Sequence, residues 1–179
     1  MSSASVLRAC AFALLICLFT SFGTSAHMPL LTPEDKKVRV GVFDSRAIAV
    51  AYYRSSDFNT IMKQLHAEHK KAKASGDNKL AKEYEKRGKA LNDLAHQQGF
   101  GTGSVDTILK KVKEHLPAIA KATNVQVIVS RWNLTYQEKD TEFVDVTDQL
   151  VMLFNPDETT LKMINDLRKK APIENSKDH

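Results

Sequence analysis

Residues 57–98 read DFNTIMKQLHAEHKKAKASGDNKLAKEYEKRGKALNDLAHQQ, and their spacing decides the architecture. Phe58, Ile61, Met62, Leu65, His69 and Ala72 recur three and four residues apart, which places them on one face of a helix. Asp57, or Ser56 before it, can cap the start by accepting from a free backbone N–H. Ser75-Gly76-Asp77-Asn78 then breaks the period with turn chemistry. A second stripe follows at Leu80, Tyr84, Gly88, Leu91 and Ala95. Gly88 costs about 1 kcal/mol against alanine in a helix, so its place on the stripe predicts a close approach by a neighbouring helix. Two amphipathic stretches joined by a short turn predict an antiparallel helical hairpin. Arms of about 18 residues would each be about 27 Å long at 1.5 Å per residue.

The same stretch concentrates positive charge. Between residues 63 and 89 lie Lys63, Lys70, Lys71, Lys73, Lys79, Lys82, Lys86, Arg87 and Lys89, against Glu68, Asp77, Glu83 and Glu85. This segment is therefore +5. The chain from residue 27 onward carries 25 basic and 21 acidic side chains, so everything outside the segment nets −1. A basic, surface-rich helix face attracts acidic partners, unfolded chains or anionic lipid heads; a plain solvated face has the same composition.

Outside the hairpin the elements are shorter. Lys37–Asp44 (KVRVGVFD) alternates Val38, Val40 and Val42 with other residues and predicts a strand. Arg46–Arg54 is an apolar cluster of helical or mixed character. Gly99–Gly103 ends the second arm helix. No strand precedes it and no Gly-Lys-Ser/Thr follows, so it is a connector rather than a phosphate loop. Ser104 caps an expected third helix over 105–122, with Val105, Ile108, Leu109, Val112, Leu116, Ile119 and Ala120 on its face and a kink at Pro117. Val125–Ser130 predicts a buried strand, and Leu134–Tyr136 and Phe143–Val146 two short extended pieces. Thr147 or Asp148 opens a short helix to Leu153. Asn155-Pro156-Asp157 opens the last helix, with Leu161, Ile164 and Leu167 on its face. The tail from Pro172 is expected to be loose.

The amino end predicts export. Arg8, the apolar run Ala9–Phe22 and the small residues Gly23-Thr24-Ser25-Ala26 make a secretory signal peptide over residues 1–26, cleaved after Ala26. The run falls short of the roughly 20 apolar residues of a spanning helix. Cys10 and Cys17, the only cysteines, both lie in it. Ile16 before Cys17 is too large for a lipobox. Residues 27–179 therefore form one domain without disulfide, thiol nucleophile or cysteine metal ligand. It must be stabilised by packing or by oligomerisation.

Few residues suggest chemistry. His66 and His69 sit three apart, but His96 falls opposite Asp57 in the hairpin, too far for a shared metal. Asp44 and Asp145 could form an acid–base pair, with Arg46 or Arg131 beside it; turn formation and helix capping explain the same carboxylates. No Gly-x-Ser-x-Gly elbow is present. Trp132 after a buried strand fits a core or subunit contact.

Three pieces together, VRVGVFDSRAI (38–48), ILKKVKEHLPAIAKATNVQVIVSRWNLTY (108–136) and FVDVTDQLV (143–151), resemble the OmpH/Skp family of periplasmic chaperones. The resemblance implies an α+β fold, a small β body with a projecting antiparallel helical hairpin over residues 57–98. It also implies three subunits joined through the body, with basic arms around a cavity that holds unfolded outer-membrane proteins. On that analogy Lys63, Lys70, Lys71, Lys73, Lys79, Lys82, Lys86 and Lys89 would meet the client. The chain departs from the family in its shorter arm, in the Gly99–Gly103 interruption and in the added helix from Asn155. The expectation is a periplasmic, non-enzymatic protein binder with no cofactor, no metal, no nucleic acid and at most peripheral membrane contact. The rivals are an adaptor docking one folded envelope partner and a small exported enzyme.

Overall fold

The computed structural model describes residues 37–173. The expected signal peptide and the tail beyond Ile173 lie outside the described residues. Helices and a small three-stranded parallel sheet make a mixed α+β fold. The sheet order places β1 (Arg39–Phe43) between β2 (Val127–Ser130) and β3 (Glu142–Asp145). Val40 pairs with Val127 on one side and Phe143 on the other; Val42 pairs with Val129 and Asp145. Parallel neighbours need long crossovers, and the connection from β1 to β2 carries the helices from Ser45 to Thr123, while Thr147–Met152 and Glu158–Arg168 follow β3.

Paired residues share a sheet face. Gly41, Phe43, Ile128 and Val144 point to the core side, where α1 (Ser45–Tyr53) packs. Gly41 is needed there: a Cβ would lie 3.1 Å from Val125 Cγ2 and 3.2 Å from the Val127 carbonyl oxygen. Val40, Val42, Val129 and Phe143, on the other face, are only half-buried, and Val127 is 47% exposed. The alternating valines thus make the open face of the sheet, not its core.

α1 is the centre of the molecule. Ala47, Ile48, Ala49 and Ala51 are fully buried, as a helix apolar on nearly all sides must be. Small alanines let the sheet, α3 (Asn78–Phe100), α6 (Thr147–Met152) and α7 (Glu158–Arg168) approach it. Phe43, Ile108, Val146, Leu150, Val151 and Ile164 complete the core.

The expected third helix is broken into three pieces. α4 covers only Asp106–Leu109, a 3-10 turn spans Lys113–His115, and α5 runs Leu116–Thr123. Pro117 sits in the first turn of α5, where its missing N–H costs nothing, whereas a continuous helix would bring its ring against the carbonyl four residues earlier. Val105 rather than Ser104 stands at the cap of α4 and supplies no side-chain capping bond; Ser104 Oγ, one residue earlier, accepts from the Asp106 N–H at 3.2 Å. Leu134–Tyr136 forms no strand; Ser130 Oγ instead accepts from the Trp132 N–H and starts a 3-10 turn over Arg131–Asn133. Of Asn155-Pro156-Asp157, Asp157 caps α7 by accepting from Thr160 N at 2.7 Å, and Pro156 stands just before the cap. Where the tail begins, the Ile173 N–H donates to the Phe100 carbonyl at 2.9 Å. No helix among the described residues is long and apolar enough to cross a membrane.

Candidate functional site

The basic stretch lies on two helices, α2 (Ser56–Ala74) and α3. Ser55, rather than Ser56 or Asp57, caps α2: its Oγ accepts from Phe58 N at 3.3 Å and donates to the Tyr52 carbonyl at 2.7 Å. That second bond ties the cap to the end of α1. Gly76 turns the chain at φ +74°, which a side chain resists. Asp77 then caps α3, accepting from Leu80 N at 2.9 Å.

Contacts between α2 and α3 join residues placed at mirror positions about this turn. Leu65 faces Gly88, and His69 and Lys73 both reach Glu85, at 3.1 and 3.2 Å. Hydrogen bonds from Lys73 and then His69 hold the Glu85 carboxyl below its ordinary pKa. The seam between the helices is thin: Leu65, Ala72 and Ala81 are its buried residues. The expected stripe on α3 is rotated by one position near the turn, because small Ala81 rather than Leu80 is buried there; Leu80 is 36% exposed. Gly88 is not forced by packing either. A Cβ there would sit 3.7 Å from Leu65 Cδ2, an ordinary contact. The last turn of α3 rests on the body, where Tyr53 Oη donates to Gln98 Oε1 at 2.6 Å and Gly99 lies against Val50.

All eight lysines named from the sequence are exposed. Lys73 pairs with Glu85 and Lys89 with Asp93, at 2.8 Å; Lys63, Lys70, Lys71, Lys79, Lys82 and Lys86 make no ion pair among the described residues. A cleft of about 320 Å³ lies between the helices, lined by Ile61, Gln64, Leu65, Glu68, Tyr84 and Arg87. The histidines do not converge: His66 is exposed, His69 faces Glu85, and His96 stands against Phe100 with ring centroids 5.4 Å apart.

The second cluster lies where all three strands end. Asp44 caps α1, accepting from Arg46 N at 3.0 Å, and its carboxylate also takes Arg46 Nε at 3.1 Å and Nη2 at 2.8 Å. Both residues are 1% exposed. Arg46 Nη1 donates to the Lys170 carbonyl at 2.9 Å, and its guanidinium lies over Trp132, 5.1 Å from the ring centroid. Burial alone would raise the Asp44 pKa. The bonds and charge of Arg46 outweigh it, and the carboxyl sits below its ordinary value. The Trp132 indole N–H adds a smaller pull, although it makes no hydrogen bond of its own among the described residues.

Asp145 Oδ2 takes Arg131 Nη2 and Arg168 Nη2, both at 2.8 Å, and its Oδ1 accepts from Thr147 N at 2.9 Å. Arg168 Nη1 reaches on to Asp148 at 2.8 Å. Burial pushes the Asp145 pKa up, but the Thr147 bonds and the two arginines bring it below its ordinary value. Asp44, Arg46, Arg131 and Asp145 thus gather at one end of the sheet as two separate ion-pair clusters. Neither carboxylate is held protonated as a general acid needs, and both are occupied by arginine. A cleft of about 140 Å³ nearby is lined by Ser45, Ser130 and the Thr102–Asp106 loop, and by none of those four residues. These bonds join the start of α1 to the Lys170 carbonyl after α7, and the ends of β2 and β3 to each other and to Arg168 of α7. The sequence reading missed Arg168. Its one signal is a basic residue in the last turn of a helix, which capping and solvation also explain.

No family model, curated protein or solved structure matches the chain.

Proposed function

We propose that the chain is a periplasmic, non-enzymatic protein-binding protein of the OmpH/Skp type. Its α2–α3 pair is a projecting antiparallel hairpin that holds unfolded or envelope proteins. The observation that carries this reading is the state of the arm charges. Eight exposed lysines stand on a helix pair, and six of them have no ion-pair partner among the described residues. Exposed cations left unpaired in such number steer and hold acidic or unfolded chains.

The open sheet face supports assembly through the body. Val40, Val42, Val127, Val129 and Phe143 form an apolar surface from three adjacent strands, which suits burial against further copies. A homotrimer is the state this reading expects. Lipid contact is at most peripheral, and nucleic acid, cofactor and metal play no part.

Light scattering on the mature chain tests the assembly. A trimer is expected, together with protection of an unfolded outer-membrane barrel protein from aggregation. A stable monomer removes the multi-arm cavity. The arm's length favours an adaptor as the second reading, since 19 residues of α2 reach only about 28 Å. Replacing the eight lysines with glutamate separates the two. A holdase weakens for many clients, whereas an adaptor loses one partner.

A further inference from the structure

The cleft of about 140 Å³ lies at the carboxyl ends of β1 and β2. Phe43 and Ser130, the last residues of these strands, are paired in the sheet, and both line it. Ser45, at the start of α1, lines it too, as does the Thr102–Asp106 loop. Crevices at the carboxyl ends of parallel strands are where such sheets hold small ligands. An apolar cavity of about 150 Å³ admits a benzene ring, so this cleft has room for about one six-membered ring.

The hydrogen-bonding groups of the lining select the ligand. Ser45 is 1% exposed, and its Oγ has no partner among the described residues. Ser130 is also buried; its Oγ accepts from the Trp132 N–H at 3.4 Å. Ser104 Oγ accepts from the Asp106 N–H at 3.2 Å. Both hydroxyls thereby use a lone pair and keep an O–H proton without an acceptor among the described residues. The Asp106 carboxylate is exposed and takes part in no ion pair or hydrogen bond among the described residues. Three O–H donors and one carboxylate acceptor are thus uncommitted around one cleft.

No lysine, arginine or histidine lines it, so an anion would meet Asp106 without a compensating cation. An ammonium only donates and cannot accept from the serines. A hydroxyl does both, and two neighbouring hydroxyls can donate to one carboxylate. Phe43, Leu109 and Ile128 supply apolar lining for the C–H faces of a ring. We infer that this cleft binds a single polyhydroxylated ring, a pyranose, with its hydroxyls meeting Ser45, Ser104, Ser130 and Asp106. None of the eight lysines of α2 and α3 lines the cleft, so this inference and the protein-binding reading stand or fall separately.

The test titrates the chain from residue 27 onward, labelled with nitrogen-15, and follows its backbone amides by NMR. The probes are D-glucose, D-galactose and N-acetyl-D-glucosamine, each also as its methyl glycoside. At least one should bind saturably in the millimolar range and shift the amides of Ser45, Gly103, Ser104 and Ser130. A methyl glycoside that binds as well as its parent assigns the site to the end of a glycan. Binding of the reducing sugar alone assigns it to a free sugar, and both outcomes support the inference. Ser45→Ala and Asp106→Asn should each weaken binding at least about tenfold. Ser45→Ala should keep or raise the melting temperature, because it removes an unpaired buried hydroxyl. Asp106 is exposed, so Asp106→Asn probes the site without disturbing the core. No saturable shift with any of the sugars overturns the inference. So do shifts confined to other residues, affinity unchanged by both substitutions, or tighter binding of inorganic phosphate or cyclohexylammonium at these residues. A lowered melting temperature for Ser45→Ala assigns that hydroxyl to the fold and overturns it as well.

Discussion

The strand ends and the α2–α3 helix pair treat charge in opposite ways. At the strand ends, Asp44, Asp145 and Asp148 are balanced by Arg46, Arg131 and Arg168, and the innermost pair is withdrawn from water. On α2 and α3, lysine follows lysine in solvent, and among the described residues only Glu85 and Asp93 pair with them. Hydrophobic burial divides the same way. Thirteen buried residues form the cluster around α1, while the seam between the arm helices buries Leu65, Ala72 and Ala81. Charges that meet inside a fold specify its packing. Charges that face water unpaired remain free to act on something else.

The largest effect should come from breaking the body's pair. Asp44→Ala leaves the Arg46 guanidinium buried without its carboxylate and should cost about 3–5 kcal/mol in urea unfolding. A loss below about 1 kcal/mol would show that the pair is as dispensable as the arm's surface contacts.

Acid should reach the same cluster. Asp44 and Asp145 have lowered pKa values in the folded chain, so their stabilisation is present above the unfolded value of about 4 and is lost as pH falls through the folded values. The melting temperature should hold from pH 7 to about 5 and drop below about 4. A flat profile down to pH 2 contradicts this.

Gly41→Ala should cost about 1–3 kcal/mol, since the Val127 carbonyl in the paired strand cannot yield as a side chain can. Gly88→Ala, the arm's counterpart, should have the opposite sign. The added methyl meets Leu65 at an ordinary distance and the helix gains about 1 kcal/mol, read as a higher melting temperature. Destabilisation by Gly88→Ala would mean that the arm is packed as tightly as the body.

These two glycines also show what the sequence could convey. Both stand in periodic stretches, and periodicity located the strand and the helix correctly. It did not tell which glycine is crowded, because crowding depends on chains that pair from far away in sequence. The helices α2 and α3 were legible because their signals are local: repeating spacing, a Ser-Gly-Asp-Asn turn and capping side chains suffice. Ser55 displaced Ser56 and Asp57 as the cap because its hydroxyl also reaches the end of α1. The fragmentation of the 105–122 stretch was marked by Pro117, but how far the break extends was not. Of the candidate site, the lysines were visible as composition. The joining of Asp44 to Lys170 through Arg46, and of Asp145 to Arg168, was not, since tertiary folding alone makes those residues neighbours.

The position of β1 in the middle of the sheet has a consequence for the order of folding. β1 comes first in the chain, yet Val40 must wait for Val127 and Phe143 before it has any ladder partner. The α2–α3 turn needs only near neighbours and can close in microseconds, whereas pairing β1 with β2 must close a loop that runs from Asp44 to Gln126. A chain emerging amino end first therefore completes the α2–α3 turn before its sheet. β1 meanwhile remains a short apolar strand with both edges open, and the arrival of β2 and β3 decides whether it pairs at home or with a neighbour.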